Sequence, residues 1–364
     1  MKLKSLFSLF LFSNIATTSL WCNSDYQLPS LFQHFPRADI SGLVIDAKKL
    51  EIPGIPYLYN ASIIEDRQGG YYLFFRVDTP HTPPYVSHIL CAQLDHNFNV
   101  NTNSVKTLDT QSEHSEDPRA LWVGDELWVV YNDESPGRAN HRIMKTAKID
   151  TLSLQVEAIY PLDIGIKKVE KNWVPFALQS EWSDKEELYF SYTIQPHAVL
   201  SLNQFLLGEK DITHFFSNQP PKILWPKCWG PIRGGTPAKK INEHEYLAFF
   251  HSSFLDGRKT RWYIVGAYIF EAKAPYEVTR ISQWPILFKG IYDTPSYRDD
   301  LYVLFPAGFV IEKHEEGDLI HLSCGENDTG IKIITLDMET LLQSLKPSIN
   351  KGRQRFHLIS ERPR

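Results

Sequence analysis

The chain has 364 residues, of which 22% are charged, and carries a formal net charge of -5. That balance supplies no basic field for nucleic acid, which is excluded as an expected partner, and no long run of one charge sign occurs. The 9 Trp, 17 Tyr and 21 Phe suit a β-rich core and also suit stacking against sugar rings.

In chain order, residues 1–21 read as an export signal. Lys2 and Lys4 precede a largely apolar run from Leu6 to Phe12, and small residues follow from Ala16 to Ser19. The apolar run is too short to span a bilayer, and no later stretch is long and apolar enough to do so. A bacterial, exported protein, periplasmic or extracellular, is the expectation, with no integral membrane segment once the signal is removed. Cys22, Cys91, Cys228 and Cys324 show no paired metal-ligand spacing. No Gly-rich phosphate loop, dinucleotide fingerprint or zinc motif occurs, so no metal and no cofactor is expected.

Residues 22–56 are a mixed, proline-containing lead-in. From Tyr57 a unit of three strand-like runs repeats five times. The runs fall at 59–64, 71–76 and 88–95, then at 119–122, 127–131 and 142–150, then at 172–176, 187–192 and 197–200. They continue at 236–238, 246–251 and 263–268, and close at 304–310, 319–325 and 331–337. The middle runs recur about 55 to 75 residues apart, which suits a blade repeat with long loops. Five units of about four short strands predict an all-β chain, a five-bladed β-propeller over residues 57–345. One short helix is expected from Met338 to Leu345, and residues 346–364 form a tail.

The stretch with most chemistry is Glu116-Asp117-Pro118-Arg119, just before an apolar run. Two adjacent carboxylates, a proline that fixes the backbone and an arginine place a titratable pair at a strand mouth. A propeller gathers the ends of its inner strands around one axial funnel, so polar residues distant in sequence can meet there. The residues expected to meet are Asn60, Arg76, Glu116, Asp117, Asn132, Asp133, Lys171, Asn172, Arg233, His251, Asn327 and Asp328.

The motifs in this order resemble glycoside hydrolase family 130, the mannoside phosphorylases and mannosidases, and related β-mannosyl-transferring enzymes. The resemblance rests on Asn60 before an apolar run, Phe75-Arg76, Glu116-Asp117-Pro118-Arg119, Lys171-Asn172 before Pro175-Phe176, and Gly234-Gly235-Thr236-Pro237 followed by Phe249-Phe250-His251. Gly266-Ala267-Tyr268, Phe305-Pro306-Ala307-Gly308 and Gly325-Glu326-Asn327-Asp328-Thr329 complete it. The resemblance implies that Asp117 is the general acid for cleaving a mannosidic bond and that Asp328 holds the sugar. It also implies inorganic phosphate as a co-substrate attacking the anomeric carbon with inversion, held by Asn60, Arg76 and Lys171. Glu116, Asp133, Asn172, Arg233 and His251 are the further expected contacts to a mannose-containing oligosaccharide or glycan.

Cleaving a glycosidic bond needs a carboxylic acid that keeps its proton near neutral pH. Crowding of Asp117 with Glu116 and Asp133 is expected to raise one of their pKa values. Arg119 is expected to neutralise Glu116 and leave Asp117 to work. Beside a phosphate-using enzyme stand a β-mannoside hydrolase or mannosyltransferase on the same fold, and a non-catalytic propeller that binds glycan.

Overall fold

A computed structural model describes residues 43–348, apart from 81–85, 139, 165–166, 180–183, 202–212, 217–224 and 289. The export signal therefore lies outside the described residues. Part of the stretch read as a lead-in is a strand, β1 (Val44–Leu50).

The first blade runs β2 (Leu58–Glu65), β3 (Tyr71–Thr79), β4 (Val86–Leu94) and β5 (Val100–Thr107), each hydrogen-bonded to the next. The second is β6 (Glu116–Val123), β7 (Glu126–Glu134), β8 (Arg142–Asp150) and β9 (Gln155–Leu162). The third is β10 (Val174–Gln179), β11 (Glu186–Ile194), β12 (His197–Ser201) and β13 (Thr213–Phe216). The fourth sheet contains β14 (Ile232–Gly234), β15 (Lys239–Asn242), β16 (Glu245–Leu255), β17 (Arg261–Glu271), β18 (Val278–Ile281) and β19 (Leu301–Tyr302). The fifth blade is β20 (Leu304–Glu312), β21 (Leu319–Glu326) and β22 (Gly330–Asp337), with β1 as its outer strand. A short helix, Met338–Ser344, follows, and β23 (Lys346–Pro347) joins the fourth sheet.

The propeller thus has four regular four-stranded sheets and one irregular sheet of seven strands. The irregularity falls where Gly235-Thr236-Pro237-Ala238 splits the innermost strand of the fourth sheet into β14 and β15, both paired to β16. The expected run at 236–238 is this break, because proline has no N–H for a ladder and glycine weakens a strand.

Each middle run became a strand with apolar residues on both faces, as in Leu73-Phe74-Phe75 and Leu247-Ala248-Phe249-Phe250, all fully buried. The reason is that a blade stacks both faces against its neighbours. Phe75 packs in the layer with Val310 and Ile331 of the fifth blade, whereas Phe74 packs with Val129 and Tyr131 of the second. The core is therefore a ring of layers between blades, and the outer strands, such as β4, return to alternating burial.

Innermost strands are sheet edges, and three of them carry proline: Pro118, Pro175 and Pro306. An edge tolerates proline because one row of its N–H groups has no ladder partner. The ring closes without a covalent link: β1 pairs antiparallel to β22, from Val44 opposite Leu336 to Leu50 opposite Ile331.

Candidate active site

The inner strands β2, β6 and β20 all break register at one place, between Tyr59 and Ser62, between Glu116 and Arg119, and between Pro306 and Gly308. Bulges re-aim side chains. Asn60 and Asp117 occupy the first two with φ of 49° and 56°, and Asn172, just before β10, has 63°. Asn327 and Asp328, in the turn between β21 and β22, have 52° and 53°. Asn and Asp enter this left-handed region more readily than other side-chain-bearing residues, which explains their recurrence at the motif positions.

These bends gather four predicted residues, Asn60, Arg76, Asp117 and Asp328, on the wall of one cavity of about 420 Å³. That volume lies in the range of roughly 300–1,000 Å³ usual for small-molecule sites. Asn60 Nδ2 donates to Asp117 Oδ1 at 2.8 Å, and Arg76 Nη1 donates to the same oxygen at 3.4 Å. Asn60 Oδ1 is buried and has no partner, an acceptor suited to a ligand hydroxyl.

Arg76 is the hub. Its Nε and Nη2 clamp Asp78 at 2.8 and 3.0 Å, and Nη2 also reaches Glu116 Oε1 at 3.2 Å. Asp78 is further held by the Tyr59 hydroxyl at 2.5 Å and the Ser87 hydroxyl at 2.6 Å. Arg76 thereby anchors the acidic wall through three carboxylates. Glu116 Oε2 takes Lys171 at 2.8 Å and Arg142 at 3.2 Å, so its charge is met from three sides.

Three expectations need correction. Arg119 does not pair with Glu116. Fully buried, it donates to the carbonyls of Gly235, Gly234 and Asp117 and to Asn172 Oδ1 at 3.3 Å, which ties the second, third and fourth blades together at the axis. The bulge at Asp117 and Pro118 turns Glu116 and Arg119 apart. Asp133 lies away from the cavity wall, fully buried against Lys145 at 2.7 Å and the hydroxyls of Ser112 and Ser115 at 2.6 and 3.3 Å. Asn132, its neighbour on the other strand face, instead holds Arg142 at 2.6 Å and so supports Glu116.

The third correction concerns protons. Burial pushes the Asp117 carboxyl up, but the combined pull of Arg76, Lys171 and Arg119 and the Asn60 hydrogen bond outweighs it and leaves the pKa lowered to about 2. The raised carboxyl is Asp328, pushed up to about 6 by burial against the pull of Arg76, with the charges of Asp117 and Asp78 adding to the rise. The crowding argument from Glu116 and Asp133 missed the cations that the other blades bring in.

Asn172 serves Arg119, and Arg233 is exposed on β14. His251, opposite Arg233 on β16, is 1% exposed, with its ring 4.6 Å from Phe305 and 6.0 Å from Tyr263, both on the cavity wall. Burial first, then the positive charges of Arg119 and Arg233, lower its pKa to about 3, so it is neutral, and its Nδ1 is buried without a partner. Sequence reasoning missed Asp78, Tyr263, Tyr297 and Arg298, which complete the wall. For Asp78 a signal existed: on a strand, residues two apart share a face, so Arg76 and Asp78 were placed to pair. Among the described residues no group of three or more His, Cys, Asp or Glu is arranged to hold a metal, and no helix is long and apolar enough to cross a membrane.

A β-1,2-mannobiose phosphorylase from Listeria innocua has a similar structure, with a TM-score of 0.54 at 14% identity over 82% of this chain and 99% of that one. A mannose phosphorylase from Leishmania mexicana, solved with phosphate, aligns at 0.52 with 14% identity over 89% and 96%. A GDP-Man-dependent mannosyltransferase from the same organism aligns at 0.53 with 12% identity over 89% and 97%. At such identities the likeness speaks for the fold alone. No curated protein matches the chain. The model described as beta-1,4-mannooligosaccharide phosphorylase matches residues 58–347, from the start of the first blade to the last strand, and the chain belongs to glycoside hydrolase family 130.

Proposed function

We propose that this glycosidase-type enzyme makes or breaks a β-mannosidic bond with inversion, using inorganic phosphate or a mannose 1-phosphate, and that Asp117 moves the proton. The observation that carries the reading is the Asp117 carboxylate on the cavity wall, held by Asn60 and Arg76, with Asp328 on the same wall.

In the synthetic direction, the hydroxyl oxygen of the acceptor bonds to the anomeric carbon of mannose 1-phosphate. The carbon–phosphate oxygen bond breaks and phosphate leaves with its electron pair. The hydroxyl proton passes to Asp117, whose ionised resting state fits this role. In cleavage the same atoms move in reverse: Asp117 returns the proton to the leaving oxygen while phosphate attacks the opposite face of the sugar. On this reading the anion lies against Lys171, Arg233 and His251: Lys171 meets Glu116 on a side chain that is still 34% exposed, Arg233 makes no salt bridge among the described residues, and the His251 Nδ1 is unpartnered. By occupying Lys171 it weakens the attraction that keeps Asp117 ionised, so anion binding and proton uptake at Asp117 go together. Asp328, near its own pKa at neutral pH, exchanges hydrogen bonds with the mannose hydroxyls.

The relatives with phosphate and mannobiose in their descriptions support this reading by kinship of fold. Incubation with β-linked mannobioses, with and without phosphate, tests it. Mannose 1-phosphate formed only with phosphate is expected. Free mannose in phosphate-free buffer reassigns the enzyme to hydrolysis, and unaltered sugar that binds equally well to Asp117→Asn makes it a glycan-binding propeller. The pattern at residues 2–19 supports an exported enzyme, which sequencing the amino terminus of the secreted protein would check.

A further inference from the structure

The turn Gly325-Glu326-Asn327-Asp328-Thr329 has two faces. Asp328 lines the cavity, whereas the neighbouring side chains tether the segment between residues 290 and 303. Glu326, fully buried, accepts from the backbone N–H groups of Tyr292 and Thr294 at 2.7 and 3.1 Å and from the Thr294 hydroxyl. Lys332, 3% exposed, bridges Glu326 at 2.8 Å to Asp293 at 2.7 Å and donates to the Gly290 carbonyl. Asn327 donates to the Thr294 carbonyl at 2.6 Å and exchanges hydrogen bonds with the backbone of Val303 at 2.8 and 2.9 Å. The Thr329 hydroxyl donates to the Pro295 carbonyl at 2.5 Å.

These satisfied buried charges and hydrogen bonds tie residues 290–295 and Val303 to the turn. They hold both ends of the stretch 296–300, whose Tyr297 and Arg298 line the cavity wall with side chains otherwise well exposed. Arg298 pairs with Asp300 at 2.9 and 2.8 Å, which orients its guanidinium and offsets part of its charge. An exposed aromatic ring beside an oriented donor group suits a neutral sugar ring: the apolar face stacks and the hydroxyls accept. An anionic ring is less well matched, because Asp300 already answers part of the charge.

We propose that Tyr297 and Arg298 form the subsite for the second sugar ring, the neutral hexose that accepts mannose or leaves with the glycosidic oxygen, on a loop positioned by Glu326, Asn327 and Lys332. This rests on the enzymatic reading given under Proposed function, which it extends from the reacting mannose to its partner. Loop residues 293–300, rather than the blades, would then choose the linkage.

The test compares kcat/KM on mannobiose with kcat/KM on β-mannosyl fluoride, whose leaving group is too small to reach the loop. In Tyr297→Ala the mannobiose-to-fluoride ratio is expected to fall about fivefold, the effect of roughly 1 kcal/mol at 1.4 kcal/mol per tenfold, through KM. Tyr297→Phe is expected to restore most of it, since the ring and not the hydroxyl stacks. A ratio equal to that of the wild type in Tyr297→Ala overturns the subsite. Calorimetry with hexose disaccharides and their monosaccharides separates this from the enzymatic reading. If the wild type turns over no mannoside, that reading fails, yet a disaccharide that binds severalfold tighter than its monosaccharide to the wild type and not to Tyr297→Ala upholds the subsite. An equal gain in both proteins, or no gain in the wild type, overturns it.

Discussion

Replacing Arg76 by Met removes the guanidinium and keeps most of the stem. Asp78, Glu116 and Asp117, all 5–7% exposed, then lose a shared cation that stands 2.8, 3.2 and 3.4 Å away. Removing one partner of a buried ion cluster costs roughly 3–5 kcal/mol. At about 1.3 °C per kcal/mol for a chain of this size, Arg76→Met is expected to lower Tm by about 5 °C. The pH dependence identifies the cause. In the wild type the Asp117 carboxyl sits at about 2 against an ordinary 3.8, so its stabilisation is complete above pH 4 and is lost as the pH falls towards 2. Without Arg76 that depression relaxes, Asp117 takes up its proton at higher pH, and the uncompensated charge disappears. Urea unfolding of both proteins at several pH values should therefore show a gap that is widest near pH 7 and narrows on acidification below about pH 5. A gap under about 1 kcal/mol at pH 7, or one independent of pH, would refute the reasoning.

Asp328 gives the opposite sign. Its carboxyl is raised from 3.8 to about 6, roughly 3 kcal/mol at 1.36 kcal/mol per pKa unit, discounted to about 2 kcal/mol for its partial exposure. The ionised group destabilises the fold above pH 6 and ceases to do so as the pH falls through 6 towards 3.8, so Asp328→Asn should unfold about 2 kcal/mol later than the wild type at pH 7.5 and show little difference near pH 4. A Cβ on Gly325 meets the Asn60 amide oxygen and, at 2.6 Å, its backbone nitrogen; Gly325→Ala should cost roughly 1–3 kcal/mol and displace Asn60 from Asp117, seen as a fall in kcat larger than the change in KM. Lys332→Met leaves Glu326 buried without its cation, and a loss of roughly 3–5 kcal/mol in chemical denaturation is expected.

The propeller was legible because blade-on-blade stacking buries both faces of every central strand, which prints a continuous apolar run such as Leu127-Trp128-Val129-Val130-Tyr131 at each repeat. The closing strand was not, since Val44–Leu50 lies at the outer edge of its blade, is only partly buried and reads as half polar. Asp117 was legible as one of two adjacent carboxylates before an apolar run, and Asn60 and Asp328 as polar residues at the ends of such runs in the order of motifs; their left-handed backbone gives the physical reason for Asn and Asp there. Roles that depend on who approaches from another blade were not: the low pKa of Asp117 needs Lys171 and Arg76, from residues 54 and 41 positions away, and the withdrawal of Asp133 needs Lys145. Tyr297 and Arg298 belong to a loop whose anchors, Glu326 and Lys332, lie in a different blade, so no local pattern marked them.

Proton and phosphorus NMR of a β-mannobiose turned over in phosphate buffer is the most direct test of proton transfer at Asp117. The wild type is predicted to yield α-mannose 1-phosphate from the first turnovers, and Asp117→Asn, folded and still able to bind the sugar, to be slower by roughly 10²–10⁴-fold. Retained β configuration at the anomeric carbon, or an Asp117→Asn enzyme as fast as the wild type, would contradict it.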